Sequence, residues 1–151
     1  MTNGGRMKKL AFGKDLNKML FLISASEGED NSIRFVIALG TNGETANGAT
    51  LVFPDTSEFY EIIFDDYILH QTRNESYASY DSGEVKKGRG LVIFEKSRLI
   101  DALPVLTDCR KFEDGSFYPE KWTHYGLFCV NHVIDVISCR EPEIRKLTEE
   151  E

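Results

Sequence analysis

The chain has few cysteines and no long hydrophobic run, and each shortage excludes a class of protein. Its 151 residues include only Cys109, Cys129 and Cys139, an odd number without the Cys-x-x-Cys spacing of a zinc ribbon. The longest apolar stretches are a few residues, too short to cross a bilayer. Polar residues interrupt the basic start, 1–18, where a secretory signal needs an apolar run. These absences predict free thiols in a cytoplasmic protein without membrane contact.

Sequence motifs of named chemistries are also missing. The chain has no Gly-x-x-x-x-Gly-Lys phosphate loop, no His-Glu-x-x-His metal motif and no Gly-x-Ser-x-Gly nucleophile turn. Gly88-Arg89-Gly90 lacks the third glycine and the helix that a dinucleotide-binding turn requires. The length, the 41% hydrophobic content and the lack of internal repeats are typical of one globular domain. The sequence therefore predicts no cofactor and no metal, and it does not name an enzyme.

Basic residues are scarce in the second quarter of the chain. The net charge is −7, and between Glu27 and Asp66 nine acidic residues stand against Arg34 alone, which gives this stretch a charge of −8. A surface of that sign repels nucleic acid and attracts cationic proteins, although solubility alone also explains an acidic composition. We therefore expect a basic protein partner rather than nucleic acid.

Hydrophobic patterning predicts an α+β fold, mainly an antiparallel β-sheet flanked by one or two helices. Residues 13–26 have the apolar spacing of an amphipathic helix, and a strand at Met19–Ala25 is the alternative. Strands at Ser32–Leu39 and Ala49–Phe53 are expected to form a hairpin around the loop 40–48, because two Asn-Gly pairs favour tight turns. Pro54 is expected to end the second strand.

The second half of the chain is expected to add strands and one short helix. Asp65-Asp66 marks a turn or bulge, and Leu91–Phe94 is a short strand. The predicted helix Arg98–Leu103 begins at Ser97 or Lys96 and ends at Pro104. Strands Tyr125–Val130 and Val133–Cys139 follow. All 151 residues are assigned to one domain, with a loosely ordered segment at 1–12 and a charged tail at 142–151 that forms a frayed helix from Pro142.

The three histidines are the best candidates for catalysis. His70, His124 or His132 would act as general base in a small hydrolase or lyase, with Glu75 or Asp135 orienting the ring. Three histidines also suit zinc, but nothing in their spacing brings them together. In a strand, His132 and Asp135 point to opposite faces because their separation is odd. The alternative is a structural histidine that is hydrogen-bonded at the end of a strand.

Two stretches are candidate protein-binding surfaces. The first is an acidic strand region that contains Asp55, Glu58, Glu61, Asp65 and Asp66. Adjacent carboxylates diverge and supply only two ligands, so Asp65 and Asp66 do not predict a magnesium or calcium site.

The second stretch combines charged and aromatic residues, which are Arg73, Asn74, Glu75, Tyr77 and Tyr80. Arginine and tyrosine on an exposed strand are typical anchors of protein interfaces. A polar network that fixes a bend in the sheet explains the same residues. Stacking of single-stranded nucleic acid on the tyrosines would need a basic groove, which the chain offers only at Lys86, Lys87, Arg89 and the N-terminal segment.

Four strings in the last two thirds of the chain resemble a family of uncharacterised bacterial proteins. They are YEIIFDDY at 60–67, RNESY at 73–77, FEKSRL at 94–99 and HYGLFCVNHVIDVIS at 124–138. Small families of this kind include immunity proteins, which bind the toxin domains of sibling cells. The resemblance therefore implies a cytoplasmic binding protein of bacteria, an immunity-type inhibitor of a cationic toxin domain. Complementary charge would steer such an association.

Overall fold

A computed structural model describes residues 16–147 of the chain. These residues form eleven strands, one α-helix and a 3-10 helix at Glu75–Tyr77. The strands are β1 (Leu20–Glu27), β2 (Ile33–Ala46), β3 (Ala49–Phe64), β4 (Leu69–Asn74), β5 (Val85–Lys87), β6 (Leu91–Lys96), β7 (Arg110–Lys111), β8 (Phe117–Tyr118), β9 (Thr123–Val130), β10 (His132–Ser138) and β11 (Glu143–Leu147). The helix α1 spans Arg98–Leu106. The prediction of a mainly antiparallel sheet flanked by one or two helices is confirmed for the sheet, and the described residues supply one α-helix.

Nine strands form one sheet in the order β11-β3-β2-β1-β9-β10-β4, and β6 and β5 branch from β9. Neighbours are antiparallel except β1 and β9, which pair in parallel through Leu20 and Phe21. Both β1 and β6 pair with the same edge of β9. They do not compete, because β1 pairs only with the last two residues of β9 and β6 pairs with residues 124–127. Strands β7 and β8 form a separate small sheet.

The main core joins strands β2 and β3 to strands β9 and β10. Alternate residues of all four strands are buried in one apolar cluster. Within it, the ring of Phe64 lies 6.3 Å from that of Phe35 and 5.3 Å from that of Tyr125. Burial of one such side chain stabilises the fold by about 1.5–3 kcal/mol. Since β10 buries Ile134 and Val136 on this face, its alternation places Asp135 on the opposite face.

Helix α1 lies against that opposite face. Leu103 packs with Ile137, Trp122 and Cys109 in a second apolar cluster. Ser97 is the N-cap of α1, and its Oγ accepts a hydrogen bond from the backbone N–H of Ile100 at 3.1 Å. Strands β9 and β10 are thus buried on both faces. No helix in the described part of the chain is long and apolar enough to cross a membrane.

Two predictions about the first three strands are corrected by the structure. The helix over 13–26 is wrong in its described part, because Leu20–Glu27 is a strand, as the alternative expected. Pairing with β2 outweighs the helical spacing. The hairpin of β2 and β3 is confirmed. The loop predicted at 40–48 is longer than the observed turn, because β2 continues to Ala46. Only Asn47 and Gly48 make the turn, with φ of 52° and 80°.

Three predicted ends of elements are also wrong. Pro54 does not end β3, because it pairs with Gly40 next to a register shift where the ladder is already irregular. Pro104 lies inside α1, which continues to Leu106. The helix expected from Pro142 is instead the edge strand β11, in which Ile144 is buried in the main core. The segment 1–12 lies outside the described residues.

Candidate active site

A series of hydrogen-bonded polar side chains crosses the face of the sheet that α1 covers. Ser97 Oγ lies 2.6 Å from Nδ1 of His124, and Nε2 of His124 lies 2.8 Å from Oδ1 of Asp135. The three residues are 4%, 2% and 2% exposed. A hydroxyl, an imidazole and a carboxylate are therefore held in line inside the protein.

Three adjacent elements position this series. Ser97 joins β6 to α1, His124 lies near the start of β9, and Asp135 lies in β10 opposite Gly126. A Cβ atom at position 126 would lie 3.0 Å from the side chains of Phe94, Phe128 and Val92.

Because glycine leaves this space empty, the ring of Phe94 lies flat on the imidazole of His124. Their ring centroids are 3.8 Å apart and their planes differ by 5°. The stacked ring and the two hydrogen bonds together fix the orientation of the imidazole.

Asp135 has two further partners, both from β4. Its Oδ2 accepts a hydrogen bond from Gln71 Nε2 at 2.9 Å and lies 3.1 Å from the guanidinium of Arg73. Burial acts to raise the pKa of Asp135, but hydrogen bonds from His124 and Gln71 and the charges of His124 and Arg73 lower that pKa overall. An ionised carboxylate only accepts, so Nε2 of His124 carries a hydrogen. In the neutral ring Nδ1 is then free to accept the hydrogen of the Ser97 hydroxyl.

The series runs between two cavities. A cavity of about 650 Å³ is lined by Ser97 and His124, and a cavity of about 320 Å³ is lined by His124, Asp135 and Arg73. Both volumes are in the range of small-molecule sites. Ser97 therefore borders the larger cavity, while the carboxylate of Asp135 lies on the far side of the imidazole.

The first turn of α1 affects the chemistry available to Ser97. The N–H of Ile100 points at the Ser97 oxygen, and the positive end of the helix dipole favours negative charge there. The N–H of Arg98, however, donates to Glu84 Oε2 at 2.9 Å. That N–H is therefore not free to stabilise an oxyanion.

Of the predicted catalytic residues, only His124 and Asp135 meet. His70 bonds Glu27 through Nε2 at 2.8 Å, and His132 lies opposite Asn74 at the start of β10. Glu75 begins the 3-10 helix. Among the described residues these three share no hydrogen bond with the Ser97 series. No three histidine, cysteine or acidic residues within 16–147 are grouped to hold a metal ion.

The five acidic residues of the predicted binding surface do not form one patch. Glu61, expected to be exposed, is 2% exposed and is bound by Arg34 and Arg145. Two others have partners: Glu58 pairs with Lys146 at 2.6 Å, and Asp55 accepts hydrogen bonds from Ser57. Asp65 and Asp66 are exposed in the turn after β3.

The second predicted surface keeps its tyrosines at the surface. Tyr77 is 85% and Tyr80 58% exposed, and Tyr80 stacks 6.4 Å from Phe128 at the smaller cavity. Arg73 instead contacts Asp135, and Asn74 accepts the N–H of Ser76 to begin the 3-10 helix. Exposed aromatic residues and a polar network thus both occur in this stretch.

From the sequence, Ser97 is expected only at the start of the helix α1. Its position between a strand and a helix was the available signal, but the spacing of residues does not show which histidine lies beside it. Comparison with protein-family models, curated proteins and solved structures finds no match to this chain. The functional assignment therefore depends on the geometry of the site.

Proposed function

We propose that the protein is a small serine hydrolase in which Ser97 is the nucleophile, His124 the general base and Asp135 the carboxylate that orients it. The observation that supports this proposal is the unbroken series of two hydrogen bonds, 2.6 Å and 2.8 Å long, from Ser97 through His124 to Asp135. Such a series is recognised by geometry and roles, and its order in the chain varies between folds. The sequence already suggested a hydrolase with a histidine–carboxylate pair as an alternative function. Ser97 supplies the nucleophile that this alternative lacked.

The reaction follows from the position of each proton. The Ser97 oxygen attacks the carbonyl carbon of an ester in the larger cavity, and its proton passes to Nδ1 of His124. Asp135 stabilises the imidazolium that forms. The imidazolium then protonates the leaving alcohol and an acyl-serine remains. Nδ1 of His124 then takes a proton from water, and the water oxygen attacks the acyl carbon. The bond to the Ser97 oxygen breaks, the carboxylic acid leaves, and the proton passes from Nδ1 to the Ser97 oxygen to restore the hydroxyl.

The nucleophile is tested with a fluorophosphonate probe and with hydrolysis of 4-nitrophenyl acetate. We expect the probe to phosphonylate Ser97 with loss of fluoride, as mass spectrometry of the digested protein would show. Ser97→Ala should abolish both labelling and hydrolysis. Ser138→Ala is the matched control, because Ser138 is equally buried but bonds the backbone of Arg140 outside the series.

Ser97→Ala also removes the N-cap of α1, which costs about 0.5–2 kcal/mol. Ser97→Asn separates this effect from catalysis, because asparagine is a good N-cap but cannot be acylated as serine is. A folded Ser97→Asn variant should be inactive. Hydrolysis that survives in this variant, or labelling at a different residue, would exclude Ser97 as the nucleophile.

Binding of a basic protein, such as a cationic toxin domain, is the second candidate function. It is supported by the end of the sheet at which two acidic turns meet. The N–H of Tyr67 donates to the carbonyl of Asn31 at 3.2 Å, which joins the turn after β3 to the turn between β1 and β2. The joined turns carry the exposed carboxylates Glu29, Asp30, Asp65 and Asp66, which have no ion pair within the described chain. Such a cluster attracts cationic surfaces in a salt-dependent way.

Affinity capture from the native host tests this binding role. We expect the protein to retain a basic partner that elutes at about 0.5 M salt, where exposed charges are largely screened. Asp65→Asn/Asp66→Asn should abolish retention, and asparagine tolerates the positive φ of 53° at position 66. Asp108→Asn/Glu113→Gln is the control, since both residues are exposed elsewhere. Equal capture by both double variants would argue against the acidic end as the interface.

A further inference from the structure

We infer that the substrates of the Ser97 site are anionic carboxylic esters, which Lys111 and Lys121 select at the larger cavity. This inference rests on the proposed hydrolase function. It names the substrate class from the side chains that surround the nucleophile.

One side of the larger cavity offers an apolar surface for the body of the substrate. Phe117 and Trp122 both line it, with ring centroids 4.9 Å apart and planes at 87°, and Ile100 and Pro104 from α1 line it as well. The indole N–H of Trp122 already donates to the carbonyl of Tyr118 at 3.0 Å. The aromatic rings therefore present apolar surface to the cavity rather than unsatisfied polar groups.

The same cavity carries positive charge at its rim. Lys111 and Lys121 line it and are exposed, and neither forms an ion pair with a described carboxylate. Lys111 Nζ lies 5.7 Å from the centre of the Phe117 ring, which keeps this charge next to the apolar surface. By contrast, Lys87 and Lys146 each pair with a glutamate. In a chain of net charge −7, unpaired lysines beside a nucleophile favour an anionic substrate.

Acidic residues at this cavity do not cancel that charge. Glu95 lines it but pairs with Lys87 at 3.0 Å. Asp101 also lines it, in the first turn of α1, and offsets one positive charge. Lys96 is a third lysine of the lining. The lining therefore holds more positive than negative charge.

The first turn of α1 also limits the leaving group that the site can displace. Because Glu84 occupies the N–H of Arg98, the usual oxyanion donor next to a nucleophile is engaged. Esters carry a better leaving group than amides and need less stabilisation of the oxyanion. The geometry therefore favours esters over peptides.

Two 4-nitrophenyl esters of nearly equal shape test the inference. The mono-ester of adipic acid carries a carboxylate, and 6-methylheptanoate replaces that carboxylate with an isopropyl group. After subtraction of spontaneous hydrolysis, we expect kcat/KM of the wild type to favour the adipate at least tenfold. About 0.5 M salt should reduce this preference, because the lysines are exposed and exposed charges are screened at that ionic strength.

Substitution of Lys111 and Lys121 shows whether these lysines cause the preference for the anionic ester. In Lys111→Gln/Lys121→Gln the ratio of kcat/KM between the two esters should fall about tenfold, which corresponds to the loss of 1.4 kcal/mol of discrimination. Lys18→Gln/Lys146→Gln removes the same charge from two exposed lysines outside the cavity and should keep the ratio. The selection by lysines is wrong if the wild type does not prefer the adipate ester, or if the ratio of kcat/KM is unchanged in Lys111→Gln/Lys121→Gln. Ser97-dependent hydrolysis would still stand in either case. If neither ester is hydrolysed in a Ser97-dependent way, the hydrolase itself is wrong.

Discussion

Glu61 and Asp135 are two buried carboxylates that look alike in every simple measure. Each is 2% exposed, each lies in the second strand from one end of the strand order, and each has a pKa that its partners lower against the opposing effect of burial. They differ in the chemistry of those partners. Glu61 is bound by Arg34 and Arg145, and a guanidinium does not release a proton in proteins.

Asp135 instead holds an imidazole, which does exchange a proton, and that imidazole leads to a hydroxyl beside a cavity. None of the cavities described around the Ser97 series is lined by Glu61. Burial and a shifted pKa therefore do not by themselves distinguish a structural carboxylate from a functional one. A functional carboxylate is distinguished by a partner that can exchange a proton and that lies beside a cavity, as His124 does.

Activity should separate the two carboxylates most strongly. Asp135→Asn should lower kcat/KM for 4-nitrophenyl acetate by about 10³–10⁴-fold, because an amide no longer holds the reactive tautomer of His124. Glu61→Gln should change the rate less than about twofold, since Glu61 touches none of the reacting groups. Rates are measured on variants whose near-UV spectra match the wild type. A loss of similar size in both variants would mean that the rate reports only on folding.

The strands of this site are predictable from the sequence, but the site itself is not. The strands around Asn131 are predictable to within about two residues, because both are short and nearly continuous apolar runs and Asn131 takes the positive φ of 73° that a tight turn favours. The meeting of Ser97 with His124 depends instead on the pairing of β6 with β9, a long-range contact that no local pattern encodes. For the same reason Glu61 was expected on the surface. Its partner Arg145 lies 84 residues away, in a segment that was expected to be a helical tail.

The two carboxylates should contribute more similarly to the free energy of unfolding than to activity. Either Glu61→Gln or Asp135→Asn leaves cationic partners without their anion, at a cost of about 1–3 kcal/mol. The cost stays below that of a fully buried pair, because Arg34, Arg145 and Arg73 are 39%, 33% and 33% exposed and water reaches them. Unfolding in urea measures both effects. Glu58→Gln, which breaks the more exposed pair with Lys146, is the control and should cost at most about 1 kcal/mol.

The dependence of stability on pH gives the smallest difference. Both carboxylates have a folded pKa below the ordinary value, so the unfolded chain binds protons more readily as the pH falls. Their stabilising effect is therefore complete above about pH 4–4.5 and is lost as the pH falls through the lower folded values. Urea unfolding between pH 7 and pH 3 should show a smaller loss of stability in Glu61→Gln and in Asp135→Asn than in the wild type. Because the sites are distinct, the two reductions should add in the double variant. A wild-type slope in either single variant would show that its carboxylate is not held as the structure describes.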